Sequence, residues 1–498
     1  MLPRMRPCII RPHVGWNNTR AAPGALVTCV RARPVYLLDA LREMLLKVYA
    51  GQQDDGSWPQ WFHFLPELIS PGHRNSHGDI AYWPLLVLGE YLERTSDLDF
   101  LDEQVPFVKQ RALSPRTAIR DHVLAALDYI EAHRTRDPRL PAYGHGDWND
   151  SLQPTSASLA EQMCSTWTTE LEIHSLETLA NALGPVYPDL SKRLRSRAAA
   201  TREGLTDVFL ADGELAGYAI IGNPTMELMV HPRDERTGLH HGILQMIHAI
   251  SGELLDPLDM KHHLDIIAEY LTGPMGTYLF DAPITYSGGT SHYFKRAEAA
   301  TFWGREIGLM YTHAHLRFIE ALTHAGRAQQ AWDELKKVIP IGITNRVPGA
   351  MPRQVDCYYS SADAVFADRY EASQRAHALF TTTTAFEGGW RVYSSGPGLI
   401  LRIVTEDILG IRIRGHQLIV DPVLPVVFDG TTAVVHAGGR ILHINYHVNA
   451  DGHGVTRILV EGLPVEAKTL SPRYRRGGQT INLADLSNKD VTMDVWMG

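Results

Sequence analysis

The sequence predicts a mainly helical protein, an (α/α) barrel followed by a small antiparallel β-sandwich. Three observations predict it. Amphipathic helical periodicity recurs from residue 36 to about residue 340, and the intervening loops are rich in Gly, Pro, Trp, His and Tyr. Beyond residue 400 the texture changes to short β-rich runs. Apolar residues three and four apart form a stripe that a helix must bury. Many such helices joined by loops fit a ring of helix pairs, with the functional residues in the loops at one end.

Residues 1–33 mix Pro, Arg, Gly and Asn without periodicity and read as an irregular leader. The barrel is assigned to 34–400 and the β unit to 401–498. Helical spacing predicts helices over Tyr36–Tyr49, Ile80–Arg94, Pro115–His133, Thr168–Leu183, Leu190–Leu210, Leu239–Ile250, Met260–Leu271, Phe302–Ala325 and Ala328–Val338. The runs Leu399–Val404, Gln417–Val420, Ala433–His436 and Ile441–Tyr446 read as strands. Asp429-Gly430, Gly438-Gly439 and Asp451-Gly452 supply the turn chemistry between them.

Composition narrows the class of function. With 498 residues, 44% hydrophobic and 21% charged, the chain has the composition expected of a globular enzyme and enough length for an ample core. A formal net charge of −9 argues against nucleic acid as a partner, because phosphate backbones demand a basic surface. No apolar run approaches the roughly 20 residues that span a bilayer, and the first 16 residues hold no long apolar core of a secretory signal. Cys8, Cys29, Cys164 and Cys357 are too dispersed for a metal pair or a disulfide framework. Free thiols in a cytoplasmic protein, with no membrane partner and no metal, are the expectation.

The sharpest local signal is His145-Gly146-Asp147-Trp148-Asn149-Asp150. Cleaving a glycosidic bond takes an acid beside the leaving oxygen and an aromatic face against a sugar ring. A buried acid near Trp can hold its proton at neutral pH. Asp and Asn are also the usual residues of a capped surface turn, and the hexapeptide alone leaves both readings open.

Gly-Asp-Trp-Asn-Asp resembles the catalytic loop of glycoside hydrolase family 94, which includes cellobiose and chitobiose phosphorylases and the phosphorylase-like part of cyclic β-1,2-glucan synthases. The resemblance implies an (α/α)6 barrel, Asp150 as proton donor, Trp148 as a sugar contact and Asp147 as a structural partner. Three further segments follow in the family's order. Arg305-Glu306-Ile307-Gly308, ending in His313, is similar to a segment that contacts sugar and ends in a phosphate-binding His. It implies sugar contacts at Arg305 and Glu306 and phosphate at His313, for which a core His on an amphipathic helix is the competing reading. Gly388-Gly389-Trp390, with Tyr393-Ser394-Ser395-Gly396 behind it, resembles a phosphate cradle. It implies the Ser394 hydroxyl and the Ser395 backbone N–H as phosphate donors, against a plain Gly-rich turn. His73-Arg74 through Asp79, with Tyr82-Trp83-Pro84 after it, resembles a segment that implies phosphate at Arg74 and sugar hydroxyls at Asp79. For Asp79 the competing reading is the N-cap of the next helix.

The implied reaction is inverting phosphorolysis of a β-glucoside to an α-sugar 1-phosphate, with inorganic phosphate as co-substrate and no cofactor or metal. Phosphate is already a nucleophile, so one carboxylate suffices. An inverting hydrolase would add a second, about 6.5–9.5 Å from the first. A hydrolase or transglycosylase on the same barrel, and an inactive carbohydrate-binding remnant, are the alternatives. Family members carry a large N-terminal β-sandwich ahead of the barrel, so the barrel is expected to be incomplete at its start. A homodimer is left open.

Overall fold

The computed structural model describes residues 20–21, 38–63, 76–109, 112–222, 225–282, 284, 291–299, 310–339, 345–346, 362–364, 366–380, 386–388, 395–486 and 489–498, some of them, Asp150 and Ser395 included, through the backbone alone. The leader call falls almost wholly outside them. Its one described piece, Arg20–Ala21, pairs antiparallel with Phe62–His63.

Helices alternate between two kinds of surface. Helices α2 (Tyr82–Thr95), α4 (Thr166–Leu183), α6 (Leu244–Ser251), α8 (Thr312–His324) and α10 (Ser395–Arg402) line the centre. In α4, 14 of 18 residues are buried, and in α8, 11 of 13, so neither has a solvent face. A helix buried all round belongs inside a larger assembly. Helices α1 (Leu38–Tyr49), α3 (Ile119–Ala132), α5 (Pro188–Phe209), α7 (Pro257–Ile266) and α9 (Ala328–Val338) bury a stripe or one side only. The stripe of α5, for instance, is Ser191, Leu194, Ala198, Thr201, Leu205 and Val208. In space α2 packs on α4, α4 on α6, α6 on α8, and α8 on α10, while α1, α5, α7 and α9 each cover one inner helix. The ion pair Arg94–Glu406, bidentate at 2.8 and 2.9 Å, joins the end of α2 to the segment after α10.

Two expectations are corrected here. Leu399–Val404 is not a strand: α10 runs to Arg402 and widens into a π turn over Ile403–Ile408. A continuous apolar run fits a buried strand and a buried helix equally well, and the ring supplies a helical slot. The helix assigned to Pro115–His133 begins only at Ile119, because 112–118 pairs as β2 (Ala112–Ala118) with β1 (Gln104–Lys109).

The C-terminal strands form two sheets. One has the order β3 (Ile411–Arg414), β4 (Gln417–Val420), β10 (Gln479–Asn482), β9 (Lys468–Thr469); the other runs β5 (Thr432–Ala437), β6 (Arg440–His447), β11 (Asp490–Met497), β7 (Val455–Val460), β8 (Leu463–Pro464). The expected all-antiparallel pattern fails at one place. The last strand, β11, enters between β6 and β7 and pairs parallel to β6 and antiparallel to β7.

This β region sits against the C-terminal ends of the inner helices. The N–H of Gly415 donates to the carbonyl of Glu93 at the end of α2 (2.7 Å), the Tyr474 hydroxyl donates to Leu255 O beyond α6 (2.8 Å), and Arg475 Nε donates to Thr323 O near the end of α8 (3.1 Å). Asp421 holds that seam, accepting from both Arg475 nitrogens, from Arg412 and from Gly478 N, each at 2.7 Å. Carbonyls that a helix end leaves unpaired are satisfied this way. The N-terminal ends of the inner helices are left for the loops.

Glu172, with no exposed surface, fastens the ring. It accepts from Arg134 Nη1 and Nη2 (both 2.6 Å), from the Tyr82 hydroxyl (3.2 Å) and from Thr201 Oγ1 (3.2 Å), joining α2, the loop after α3, α4 and α5. Removing one partner of a buried pair strands the other charge, at about 3–5 kcal/mol. Arg134→Met is expected to lower unfolding free energy by about that much in urea titration, and an unchanged midpoint would refute the role of this knot.

Candidate active site

At the N-terminal end of α2, the stretch 76–80 lies against the loop 142–150. His77 bridges Gly144, and the Gly78 N–H lies within reach of the carbonyls of Tyr143 (3.0 Å) and Gly146 (2.9 Å). Both glycines are dictated by this approach. A Cβ on Gly78 would stand 2.6 Å from the carbonyl oxygens of Ala142 and Tyr143. Gly146 has φ +140°, and a Cβ there would press on the His77 ring at 3.1 Å.

The loop is then wound by its own side chains. Asp147, buried, accepts from Asn149 N at 2.9 Å and from the Tyr143 hydroxyl at 3.4 Å. Burial and the Asp147 charge keep that phenol well above its ordinary pKa, so it stays neutral, and its single proton is shared between Asp147 and the nearer Leu152 O at 2.8 Å. Asn149 accepts from Ser151 N at 3.1 Å and caps the 3-10 turn Asp150–Leu152, so the Asp150 backbone opens that turn. Such Asx turns explain the residue choice at Asp147 and Asn149. The loop is nonetheless no surface turn: Asp147 and Asn149 are both buried.

Trp148 points to the start of α8. Its indole Nε1–H donates to His313 Nδ1 at 2.9 Å, and its ring meets Tyr311 edge-on at 5.1 Å. Two residues singled out in sequence, 165 positions apart, are thus in direct contact. The core-histidine reading fits the neighbour instead. His315 is fully buried on α8, accepts from Thr277 N at 3.1 Å, and contacts Thr277 Oγ1 (2.7 Å) and Glu334 O (3.1 Å). Burial lowers its pKa. His313 is half-buried. Asp79 does not cap α2: its carboxylate accepts from Trp83 Nε1 at 3.0 Å, and the helix has no side-chain cap. Arg74, Arg305, Glu306 and Ser394 lie outside the described residues, as do the side chains of Asp150 and Ser395; the Ser395 backbone opens α10.

Sequence reading missed Trp167, at the start of α4. It neighbours Trp148 (5.6 Å), Trp83 (6.5 Å) and His248 (4.2 Å), and its buried Nε1–H has no hydrogen-bond partner among the described residues. Ser165-Thr166-Trp167-Thr168 signals only a helix start, where Ser165 caps the helix by accepting from Thr168 N. One turn further along α4, Glu170 is buried with neither oxygen hydrogen-bonded among the described residues, and it faces a cavity of about 130 Å³ inside the ring. Arg94, His248, Glu320, Arg402 and Asp407 also line it. Among the described residues, no group of three or more His, Cys, Asp or Glu is placed to hold a metal ion, and no helix is long and apolar enough to cross a membrane.

The model of the Glycosyl hydrolase 94 superfamily catalytic domain matches residues 39–396. The chain belongs to that superfamily. It is 35% identical to a 1,2-beta-oligoglucan phosphorylase of Listeria innocua over 90% of this chain and 41% of that protein. It is 26% identical to the cyclic beta-(1,2)-glucan synthase NdvB of Rhizobium meliloti, over 81% of this chain and 14% of the relative. For a 3-O-beta-D-glucopyranosyl-beta-D-glucuronide phosphorylase of Paenibacillus borealis the identity is 25%, over 85% and 52%. The chain therefore spans about half or less of the length of these relatives. Within the glycosyl hydrolase 94 match fall the whole 76–150 contact, α4 with Trp167 and Glu170, and the start of α8.

Two measurements probe this floor. Gly78→Ala has no room to relax, since the clash is with two backbone carbonyls, and is expected to cost about 1–3 kcal/mol of stability; wild-type thermal unfolding would refute it. Burial holds the Glu170 carboxyl well above its ordinary pKa, which favours its protonated form in the folded chain. Below the unfolded carboxyl's pKa, about 4.3, both states are neutral and stability is full; as pH rises the unfolded chain ionises first and stability falls by up to about 1.4 kcal/mol per pH unit until the folded group ionises. Glu170→Gln should flatten that slope above the unfolded carboxyl's pKa, and parallel profiles of variant and wild type would show that burial does not raise the Glu170 pKa.

Proposed function

We propose that this chain catalyses inverting phosphorolysis of β-1,2-linked gluco-oligosaccharides, releasing α-glucose 1-phosphate. The observation that carries the reading is the Trp148–His313 hydrogen bond. It joins the loop bearing the proposed acid to the proposed phosphate-binding imidazole, as a phosphorylase needs its leaving group and nucleophile on either side of one anomeric carbon. The β-1,2 linkage is suggested by the Listeria and Rhizobium relatives, both of which carry it in their names.

In this reading Asp150 protonates the departing glycosidic oxygen while phosphate attacks C1 from the opposite face. Trp148 presents its ring to the sugar and Asp79 accepts from sugar hydroxyls, joined by Arg305 and Glu306. His313, Arg74, Ser394 and the Ser395 N–H hold phosphate by charge and hydrogen bonds. Phosphate brings its own negative charge as nucleophile, so no second carboxylate, cofactor or metal takes part. The alternating inner and outer helices are read as an (α/α)6 barrel, its loop end open to substrate and its other end covered by the sheets. A cytoplasmic location fits a phosphate-consuming reaction.

The test is release of sugar 1-phosphate from sophoro-oligosaccharides, cellobiose and laminaribiose, with and without inorganic phosphate. Phosphate-dependent release from the β-1,2 substrates is expected, with kcat reduced about 10²–10⁴-fold in Asp150→Asn. Free glucose released at the same rate without phosphate would replace this reading by a hydrolase, and activity retained in Asp150→Asn would remove the acid assignment.

A further inference from the structure

The cavity that Glu170 faces is walled by charges that already neutralise one another. Arg94 meets Glu406 at 2.8 and 2.9 Å and Glu90 at 3.4 Å. Arg402 meets Glu320 at 2.7 Å and Asp407 at 3.2 Å, and Arg412 meets Asp421 at 2.7 Å. Two polar groups are left over among the described residues. Neither Glu170 oxygen has a hydrogen-bond partner, and neither does Arg402 Nε. Both residues line the space, and they are only 2% and 7% exposed. Buried polar groups of this kind call for an occupant that can pair with them.

The wall decides what that occupant can be. An anion would lie against Glu90, Glu320, Glu406 and Asp407, and a cation against Arg94, Arg402 and Arg412. Neither gains from walls whose charges are already paired, and each would leave its own hydration behind. A neutral hydroxyl suits both leftover groups, because it donates and accepts at once. It accepts from the Arg402 Nε–H, and it pairs with the Glu170 carboxyl, whose protonated form burial favours. There is room for several hydroxyls: the cavity measures about 130 Å³, and roughly 10–15 Å³ holds one water. Glu177 and Arg414 line it too, with side chains 40% and 55% exposed, so it reaches the surface between α4 and β3. That opening lies toward the C-terminal ends of the inner helices, away from the 142–150 loop.

We propose that this cavity is a second ligand site, separate from the candidate active site, which takes a small neutral polyol on Glu170 and Arg402. The inference does not rest on the phosphorylase reading. The shared chemistry is a neutral hydroxyl, and bound water is its other source.

The experiment is calorimetric titration of the intact protein with glycerol and with myo-inositol, and with 1,4-dioxane as a control that has no hydroxyl. Glu170→Gln keeps a donor and an acceptor in place, whereas Glu170→Leu has neither. Wild type should bind a polyol saturably at one site and ignore dioxane. Affinity should stay within about threefold in Glu170→Gln and fall about 10-fold or more in Glu170→Leu, where a buried hydroxyl loses its partner. Should Glu170→Leu fail to fold, Ser251→Phe takes its place, filling the cavity from the end of α6 with the same expected loss. Asp79→Asn, at the other end of the ring, should leave polyol affinity unchanged. No saturable binding of either polyol by wild type would overturn the proposal and leave water as the occupant. Affinity that survives Glu170→Leu or Ser251→Phe would place the polyol elsewhere, and a loss confined to Asp79→Asn would move it to the candidate active site.

Discussion

Glu172 is a carboxylate without solvent, and four donors from three other parts of the ring converge on it. A charge in that position is tolerable only when every lone pair is met. The requirement fixes the distances between α2, α4, α5 and the loop after α3 more tightly than apolar packing alone could. Trp83 lies in the first turn of α2 with Asp79 just before it, and the start of α4 holds Trp167, so the register set at Glu172 is transmitted directly to the floor of the site.

Two residues earlier on the same helix, Glu170 shows the opposite solution. Among the described residues it meets no hydrogen-bond donor, and burial favours its protonated form instead. Helix α4 thus carries one carboxylate met by donors from its neighbours toward the outer ring and one, toward the axis, whose protonated form burial favours. The polar interior around it is a row of paired charges. Glu320 joins Arg317 and Arg402, Arg402 joins Asp407, and Asp421 joins Arg412 to Arg475. The row links the site end of α8 to the sheets, which cover the other ends of the inner helices.

Much of the helical framework was legible. Ala328–Val338 matches its expected span, and Thr166–Leu183 and Pro188–Phe209 lie within two residues of theirs, because an amphipathic or buried period of that length has no strand equivalent. Leu399–Val404 was misread because a short apolar run carries no period, and its helical state comes from the slot between α8 and the sheets. The parallel pairing of β11 with β6 was illegible for a related reason: strand direction depends on which neighbours already occupy the sheet. Within the site, Asp147 and Asn149 showed their turn-forming roles in their residue types. Trp167 did not, since one aromatic in a helical run reads as core.

By itself the sequence determined the helix periods, the turn chemistry of Gly146–Asp150 and the four segments that resemble a known family. These are local properties, set by side-chain type and spacing over a few residues. Only the tertiary structure decided that Trp148 meets His313 across 165 positions and that the fully buried histidine of α8 is His315. Such contacts depend on where helix ends fall in the ring, and ring geometry comes from packing summed over the whole chain, which no local pattern encodes.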